Sequence, residues 1–414
     1  MTQKSTLIFA YYSYRDPIFL SAVLPYFTLE NNKEKGVKYI LMTFEKQELD
    51  IKDNVEFQKI KSELANKYNI HWHKMVWRSG RFKILKKAID FLQAFWVAIR
   101  LVKKHNVTSV YSEGFPGAIM GHHIARCTNI KHLVHTFEPH NQYMIEAGVW
   151  KANAWEAKLL GYYEKKIALH CSHIFTATQG MIDRIKSWGT NAEMIRTPSC
   201  VDTKLFCFSD VDRSETRKKL GLSEDVCLIT YMGKFGGMYM EEELFDFFKE
   251  CIIRTDQKFH FLILTVEDQQ KVQGFFELKS ISKENYTIYK ANREEIPMFL
   301  SASDYGFVAV RQQAGKRFCS PIKDGEYWAC GLPIIIPKNV SDDFVFAEKY
   351  DLGIVIDNFS KEEFTLKVEE LVNHYKTTDK KSLQARCRDF VIQDRNVEPF
   401  KLLYQKIVGG ASLS

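Results

Sequence analysis

The sequence predicts an α/β chain built from two doubly wound parallel sheets. Short apolar, β-rich runs alternate with longer amphipathic stretches through most of the chain. The alternation pauses once, near the middle, and 414 residues suffice for two or three domains that each bury a core. Composition agrees: 45% hydrophobic and 26% charged residues exclude a disordered chain, and 21 Gly with 10 Pro exclude collagen-like and low-complexity ones.

In the first half, strands are expected at residues 6–11, 37–44, 70–77, 107–111, 132–137 and 173–176. Helical periodicity fills the gaps, at 18–29, 55–68, 82–105, 118–127, 154–169 and 181–187. Residues 190–212 are polar, contain Pro198 and several turn formers, and show no clear period, which reads as an interdomain linker. Strands resume at 227–232, 259–264, 286–289, 305–310 and 332–336, and three helices close the chain at 361–375, 380–391 and 397–407. The expected domains are residues 1–195, joined by a returning C-terminal helix near 395–408, and residues 205–392. Ligands of doubly wound sheets bind beyond the carboxyl ends of the strands, so the loops there are where chemistry is sought.

Charge is unevenly distributed. Residues 1–200 carry 28 Lys and Arg against 17 Asp and Glu, a net +11, whereas the remainder carries 30 against 34, a net −4. A basic first half fits an anionic partner such as a phosphate or a lipid headgroup surface, and equally a solvated lysine face. No nucleic-acid motif accompanies it. Nine cysteines without a CxxC pair argue against a disulfide framework or structural zinc and fit a reducing cytosol. No 18-residue uncharged run exists and the first apolar stretch is too short for a signal peptide, so the expected location is cytoplasmic.

Five stretches carry candidate chemistry. Tyr231-Met-Gly-Lys-Phe-Gly-Gly237 follows a strand and precedes an acidic helix start. Glycines there let the backbone approach an anion, and Lys234 adds charge beside Gly236 and Gly237; a plain strand-to-helix turn is the alternative. The stretch from Cys319 to Pro333 runs from a loop through a short helix into a strand, with Ser320 and Pro321 as the helix start. Glu326 lies where a core-facing helix usually carries an apolar residue, so it needs either a ligand's hydroxyls or a Lys323 partner three residues earlier. The segment His135-Thr-Phe-Glu-Pro-His-Asn-Gln142 packs His135, Glu138 and His140 at a strand end without metal-site spacing, which favours a sugar or phosphate contact over a metal. In the loop after the first strand, Asp16 reads as a helix cap that leaves Ser13 facing the ligand edge. Last, residues 78–104 place Arg78, Arg81, Lys83, Lys86 and Lys87 at one end and Lys103 and Lys104 at the other of an aromatic-rich helix. This fits a membrane-surface helix or, as the favoured reading, a long buried helix with solvated ends.

With these residues in place, the chain resembles family 4-type glycosyltransferases of the GT-B fold, of the kind encoded in bacterial surface-polysaccharide and capsule clusters. The resemblance spans Asp16-Pro-Ile18, Phe137-Glu-Pro-His140, Gly148-Val-Trp150, Thr197-Pro-Ser-Cys-Val-Asp202, Gly236-Gly237 and the stretch from Ser320 to Pro333. The last matches the pattern S-P-x-K-x-x-E-Y-x-A-x-G-x-P. It implies two Rossmann-like domains facing an interdomain cleft, with the C-terminal helix crossing back to the first domain. It further implies retaining transfer of a sugar from a nucleoside-diphosphate donor to a glycan or polyprenyl-diphosphate-linked glycan, without a cofactor or metal. Glu326 would then bind the donor ribose, and Lys234, Gly236, Gly237, Arg311, Ser320 and Lys323 would surround the diphosphate. His140 and Glu138 would contact the transferred sugar or acceptor, with Ser13, Asp16 and His135 on the acceptor side.

The pattern departs from the family in three places. Phe318 stands where the first carboxylate of the usual E-x7-E pair is found, Met238-Tyr-Met240 replaces a second basic residue, and Tyr12-Ser-Tyr-Arg15 replaces a glycine-rich loop. A sugar-nucleotide 2-epimerase and a non-catalytic sugar or lipid-phosphate binding protein on the same fold therefore remain alternatives.

Overall fold

Strand–helix alternation in the first half closes into one parallel sheet. The computed structural model describes residues 4–136 and 138–411; Phe137, the last residue of an expected strand, lies outside the described residues. Among the described residues this sheet has seven strands: β1 (Lys4–Ala10), β2 (Val37–Glu45), β3 (Ile70–Val76), β4 (Val107–Glu113), β5 (Lys131–Thr136), β6 (His173–Thr176) and β7 (Glu193–Arg196). Their order is β3-β2-β1-β4-β5-β6-β7. Leu7 of β1 faces Ile40 on one side and Val110 on the other, and all three are buried in one cluster with Phe9 and Met42. The helices between are α1 (Asn54–Tyr68), α2 (Lys83–Lys104), α3 (Gly114–Thr128), α4 (His140–Glu146), α5 (Trp155–His170) and α6 (Gln179–Lys186). Caps set several boundaries. Asp53 accepts from the Val55 N–H at the start of α1, and Asn69 ends it in the left-handed conformation at φ 55°.

The second sheet has order β10-β9-β8-β11-β12-β13. Its unit contains α7 (Asp210–Lys219), β8 (Cys227–Met232), α8 (Glu242–Ile253), β9 (Phe259–Leu264), α9 (Gln269–Leu278), β10 (Tyr286–Tyr289) and α10 (Ile296–Ala302). It continues with β11 (Tyr305–Phe307), α11 (Ile322–Ala329), β12 (Ile334–Pro337), α12 (Asp343–Lys349), β13 (Gly353–Ile356), α13 (Lys361–Thr377) and α14 (Lys380–Asp394). The chain divides into unit 1, Met1–Thr197 with Val397–Ser414, and unit 2, Pro198–Asn396. Helix α15 (Val397–Ile407) thus belongs to unit 1, where Tyr404 stacks on Tyr26 with centroids 4.5 Å apart.

Both sheets carry the doubly wound order 3-2-1-4-5-6, so each has a topological switch point, β1/β4 in unit 1 and β8/β11 in unit 2. These two edges position everything that follows.

The structure corrects four expectations. The helix expected at 18–29 is a single π turn, Phe19–Val23, followed by a 3₁₀ turn, Leu24–Phe27. Pro25 has no N–H to continue an α-helix, and burial of Tyr26 and Phe27 holds the tighter turn. Strand β7 falls inside the expected linker; as a half-exposed edge strand reading Glu-Met-Ile-Arg it has no apolar period to reveal it. Strand β13 also went unanticipated. Finally, α2 is not a buried helix: Ala94, Ala98 and Leu101 face the core while Leu85, Ile89, Leu92 and Trp96 face solvent.

Candidate functional site

In unit 2 the loops after β8 and β11 are zipped together. Met240 N–H donates to Ala309 O at 3.0 Å and Arg311 N–H to Met238 O at 3.0 Å, beside an antiparallel bridge between Tyr239 and Val310. This closes the turn Gly233–Gly237 over the switch point. Gly236 and Gly237 take φ of 80° and 63°, left-handed values that favour glycine, and Lys234 is exposed beside them. A Cβ on Gly233 would lie 2.5 Å from Lys323 Nζ, so the lysine of α11 reaches the glycine-rich turn directly. Lys323 also sits over the Tyr239 ring at 5.0 Å, on the stretch where the resemblance leads one to look for a second cation. Burial pulls the Lys323 pKa down, while Glu326 and Asp324 raise it.

Helix α11 is locked to the switch point by Tyr327. Its hydroxyl accepts from Met232 N–H at 3.0 Å and donates to Phe307 O at 3.3 Å, bridging β8 and β11. Its ring fills the space a side chain at Gly306 would need, 2.4 Å from an added Cβ. One residue earlier, Glu326 has a side chain only 4% exposed. The expected Lys323 partner does not claim it: Arg293, on the loop after β10, approaches Glu326 Oε1 at 3.0 Å. The contact is an ion pair without hydrogen-bond alignment, since Oε1 has no aligned donor. Burial raises the Glu326 pKa and Arg293 opposes the rise. Arg293 is itself held against the Phe206 ring at 5.1 Å. A buried carboxylate short of donors, with a cation and a glycine-rich turn nearby, suits vicinal hydroxyls next to a diphosphate.

Two other expected donor residues have different surroundings. Arg311 is tied to Glu243 of α8, with Nε 3.3 Å from Oε1, and so does not point to the turn as a spare cation. Ser320 Oγ accepts from Ser199 N–H at 3.1 Å, and Ser199 Oγ donates to Ser320 O at 2.6 Å, which anchors the start of α11 to the first residues of unit 2.

In unit 1 a cavity of about 330 Å³ opens at the β1/β4 switch point. Tyr11 and Tyr12 line it from the loop after β1, Trp77 from just beyond β3, Glu113 from the end of β4 and Phe115 from the start of α3; Glu138 comes from the loop after β5 and His140 from the start of α4. Aromatic faces with a few carboxylates and one imidazole form a surface on which sugar rings stack and hydroxyls donate. The structure therefore brings His140 and Glu138 together. It puts His135 behind them: buried in β5, its Nδ1 lies 3.1 Å from Glu113 Oε1, and Tyr111 donates to Glu113 Oε2 at 2.8 Å. Ser13 does not face the ligand edge as expected. Its buried hydroxyl donates to Phe44 O and accepts from Lys46 N–H, pinning the loop to β2. Asp16 accepts from Ile18 N–H at 3.0 Å, a capping contact.

Glu113, Trp77, Tyr12 and Arg293 escaped sequence reasoning. For Glu113 a signal exists: a carboxylate followed by Gly114 two residues beyond the last expected strand residue, where the strand in fact continues.

Burial lowers the His140 pKa, so the imidazole is neutral and able to accept a proton or hydrogen bond near neutrality. Near it lies the buried Glu164, whose pKa the backbone N–H groups of His140 and Asn141 act to lower. Burial raises the Glu164 pKa from 4.5 to about 7, with Arg184 opposing. Because the folded-state value is the higher, the stabilisation is complete below the unfolded value and is lost as pH rises through about 7. We expect urea unfolding across this range to show wild type losing about 3 kcal/mol on this account, and Glu164→Gln to lack that slope.

Among the described residues, no group of His, Cys, Asp or Glu is arranged to hold a metal ion, and no helix is long and apolar enough to cross a membrane. No protein-family model matches the chain, and no curated protein matches it in sequence. Solved structures do match its fold. Sucrose-phosphate synthase from Thermosynechococcus elongatus aligns with a TM-score of 0.69 at 14% identity, covering 98% of each chain. HepE from Anabaena, solved in complex with UDP and glucose, aligns at 0.68 and 12% identity, covering 98% of this chain and 100% of its own. WaaG, a glycosyltransferase involved in lipopolysaccharide biosynthesis, aligns at 0.64 and 12% identity, covering 98% and 100%. With two doubly wound units of this topology, the chain has the GT-B fold.

Proposed function

We propose that this GT-B chain is a glycosyltransferase that moves a sugar from a nucleoside-diphosphate donor to a glycan or lipid-linked glycan acceptor, with retention at the anomeric carbon. One observation carries the reading: Glu326, a buried carboxylate short of donors, stands one turn from Lys323 and the Gly233–Gly237 turn at the β8/β11 switch point. Glu326 accepts from the ribose hydroxyls, while Lys234, Lys323 and the amides of the turn neutralise the diphosphate without a metal. That HepE is described in complex with UDP and with UDP-glucose supports a nucleotide-sugar as ligand. The leaving diphosphate receives the acceptor proton, and catalysis rests on positioning and on stabilising developing phosphate charge. The cavity lined by Tyr11, Trp77, Glu113, Glu138 and His140 receives the acceptor or the transferred sugar. The net +11 of the first 200 residues favours an anionic acceptor, such as a polyprenyl-diphosphate-linked glycan of a surface or capsular polysaccharide, met at the inner face of the cell membrane.

A thermal-shift screen against UDP-, GDP-, CMP- and dTDP-sugars, run with and without chelator, tests the donor. A ligand at about 100 times its Kd adds about 2.7 kcal/mol to stability. Failure of every nucleotide to raise the melting temperature removes the donor assignment. Incubation of the binding donor without acceptor then separates the classes: a 2-epimerase converts the donor sugar alone, a transferase needs an acceptor, and a binding protein does neither.

A further inference from the structure

Two helices of unit 1 present apolar faces to water. On α2, Leu85, Ile89, Leu92 and Trp96 recur at the i, i+4, i+7, i+11 spacing of one face, with Leu92 62% and Trp96 60% exposed. The opposite face, Asp90, Ala94, Ala98 and Leu101, is buried. On α5, Trp155, Leu159, Tyr162 and Leu169 form a second stripe, with Trp155 61% and Tyr162 58% exposed. Both helices pack against α3. Right-handed crossovers from β3 to β4, β4 to β5 and β5 to β6 all run the same way along the sheet, so α2, α3 and α5 lie in one layer with the stripes on either side of α3.

A surface helix that is apolar on both faces is solvated on neither, and two such stripes in one layer mark an interaction surface. Its rim identifies the occupant. Lys86, Arg100, Lys103 and Lys104 border the α2 stripe, and Lys158, Lys165 and Lys166 border that of α5. The acids on these helices are Asp90, Glu156 and Glu164, of which Asp90 and Glu164 are buried. Lys166 Nζ lies 5.3 Å from the ring centre of Tyr162, the arrangement of amphipathic side chains at an interface between apolar and charged media. Aromatic and aliphatic anchors within a cationic rim complement acyl chains beneath anionic headgroups.

We propose that the outer faces of α2 and α5 dock unit 1 on an anionic lipid surface. This rests on the proposed lipid-borne acceptor for its purpose, and on the two helix faces for its geometry. The test is co-sedimentation of the full chain with phosphatidylcholine vesicles, with and without phosphatidylglycerol. We expect binding that requires phosphatidylglycerol and weakens with salt. The pairs Leu92→Glu with Trp96→Glu, Trp155→Glu with Tyr162→Glu, and Lys103→Glu with Lys104→Glu should each lower the partition coefficient about tenfold or more. Melting temperature and the nucleotide-induced shift, measured on the same variants, should stay at wild-type values, because these residues are exposed and outside the donor site. No binding to phosphatidylglycerol vesicles, equal binding by all variants, or self-association of the chain that the same substitutions abolish would each overturn the proposal. Loss of the nucleotide shift in wild type with vesicle binding intact would instead remove the transferase reading and leave the docking face standing.

Discussion

Replacing Glu326 with alanine is expected to weaken nucleoside-diphosphate binding about 100-fold, read by calorimetry, and to remove most transfer activity. The carboxylate is buried with one cation beside it and an oxygen that lacks an aligned donor. Two charge-assisted hydrogen bonds from ribose hydroxyls to such a group contribute about 3 kcal/mol, which is about two decades in Kd. Alanine also leaves the Arg293 guanidinium facing the ligand without its counter-ion. Glu326→Gln keeps the shape and one acceptor and should lose less. Unchanged affinity in both variants would remove Glu326 from the donor site. Acidification provides a second reading of the same group. Only the ionised carboxylate accepts from both hydroxyls, so binding should weaken as pH falls through the raised Glu326 pKa. Arg293→Ala removes the charge that opposes the rise and should move this loss to higher pH.

Arg395→Ala is expected to cost unit 2 about 3–5 kcal/mol, measured as a lower urea midpoint at constant m, with a fall in Tm of roughly 10 °C. Arg395 is fully buried, as are Asp324 of α11 and Asp343 of α12. The guanidinium pairs with Asp343, reaches Pro321 O at 3.4 Å and lies over the Trp328 ring. Removing it strands a buried carboxylate, whereas Asp324→Asn should be close to neutral. Burial and the adjacent Asp343 push the Asp324 pKa well up, so the neutral amide replaces a carboxyl group whose charged form burial already disfavours. Large losses in both variants would mean that Asp324 is ionised. The triad also bears on the donor site. Arg395 O accepts from Val201 N–H at 2.8 Å, and a Cβ on Gly325 would lie 2.7 Å from Val201 and 3.1 Å from Arg395. Thus the two points where the chain enters and leaves unit 2 are packed against the helix that carries Glu326.

Much of the fold is legible in the sequence, because parallel sheets buried on both faces are written as continuous apolar runs, and β1, β8 and β9 are of that kind. Edge strands are not. β7 has no buried residue and reads as a polar linker. Pro25 stands inside an otherwise helical period and turns it into two tighter turns, so local backbone chemistry overrides periodicity there. Periodicity also could not say which side of α2 meets the core, since a helix apolar on both faces has no preferred inward stripe until its neighbours exist.

The candidate site divides along the same line. Local chain chemistry alone singled out Glu326, Lys323, Lys234 and the glycines 236 and 237, because an acid on a core-facing helix and positive-φ glycines after a strand are conspicuous within a few residues. Their partners come from elsewhere in the chain: Arg293 is 33 positions before Glu326, and Glu113 is 22 before His135. The second charge of each pair, the sealing of Ser13 under β2 and the diversion of Arg311 to Glu243 follow from which strands lie side by side. Residue type and spacing thus determined that this chain has two doubly wound halves with a glycine-rich turn and its lysine in the second. Only tertiary structure decided which charges meet, because ion pairs form across loops whose separation in sequence carries no record of their distance in space.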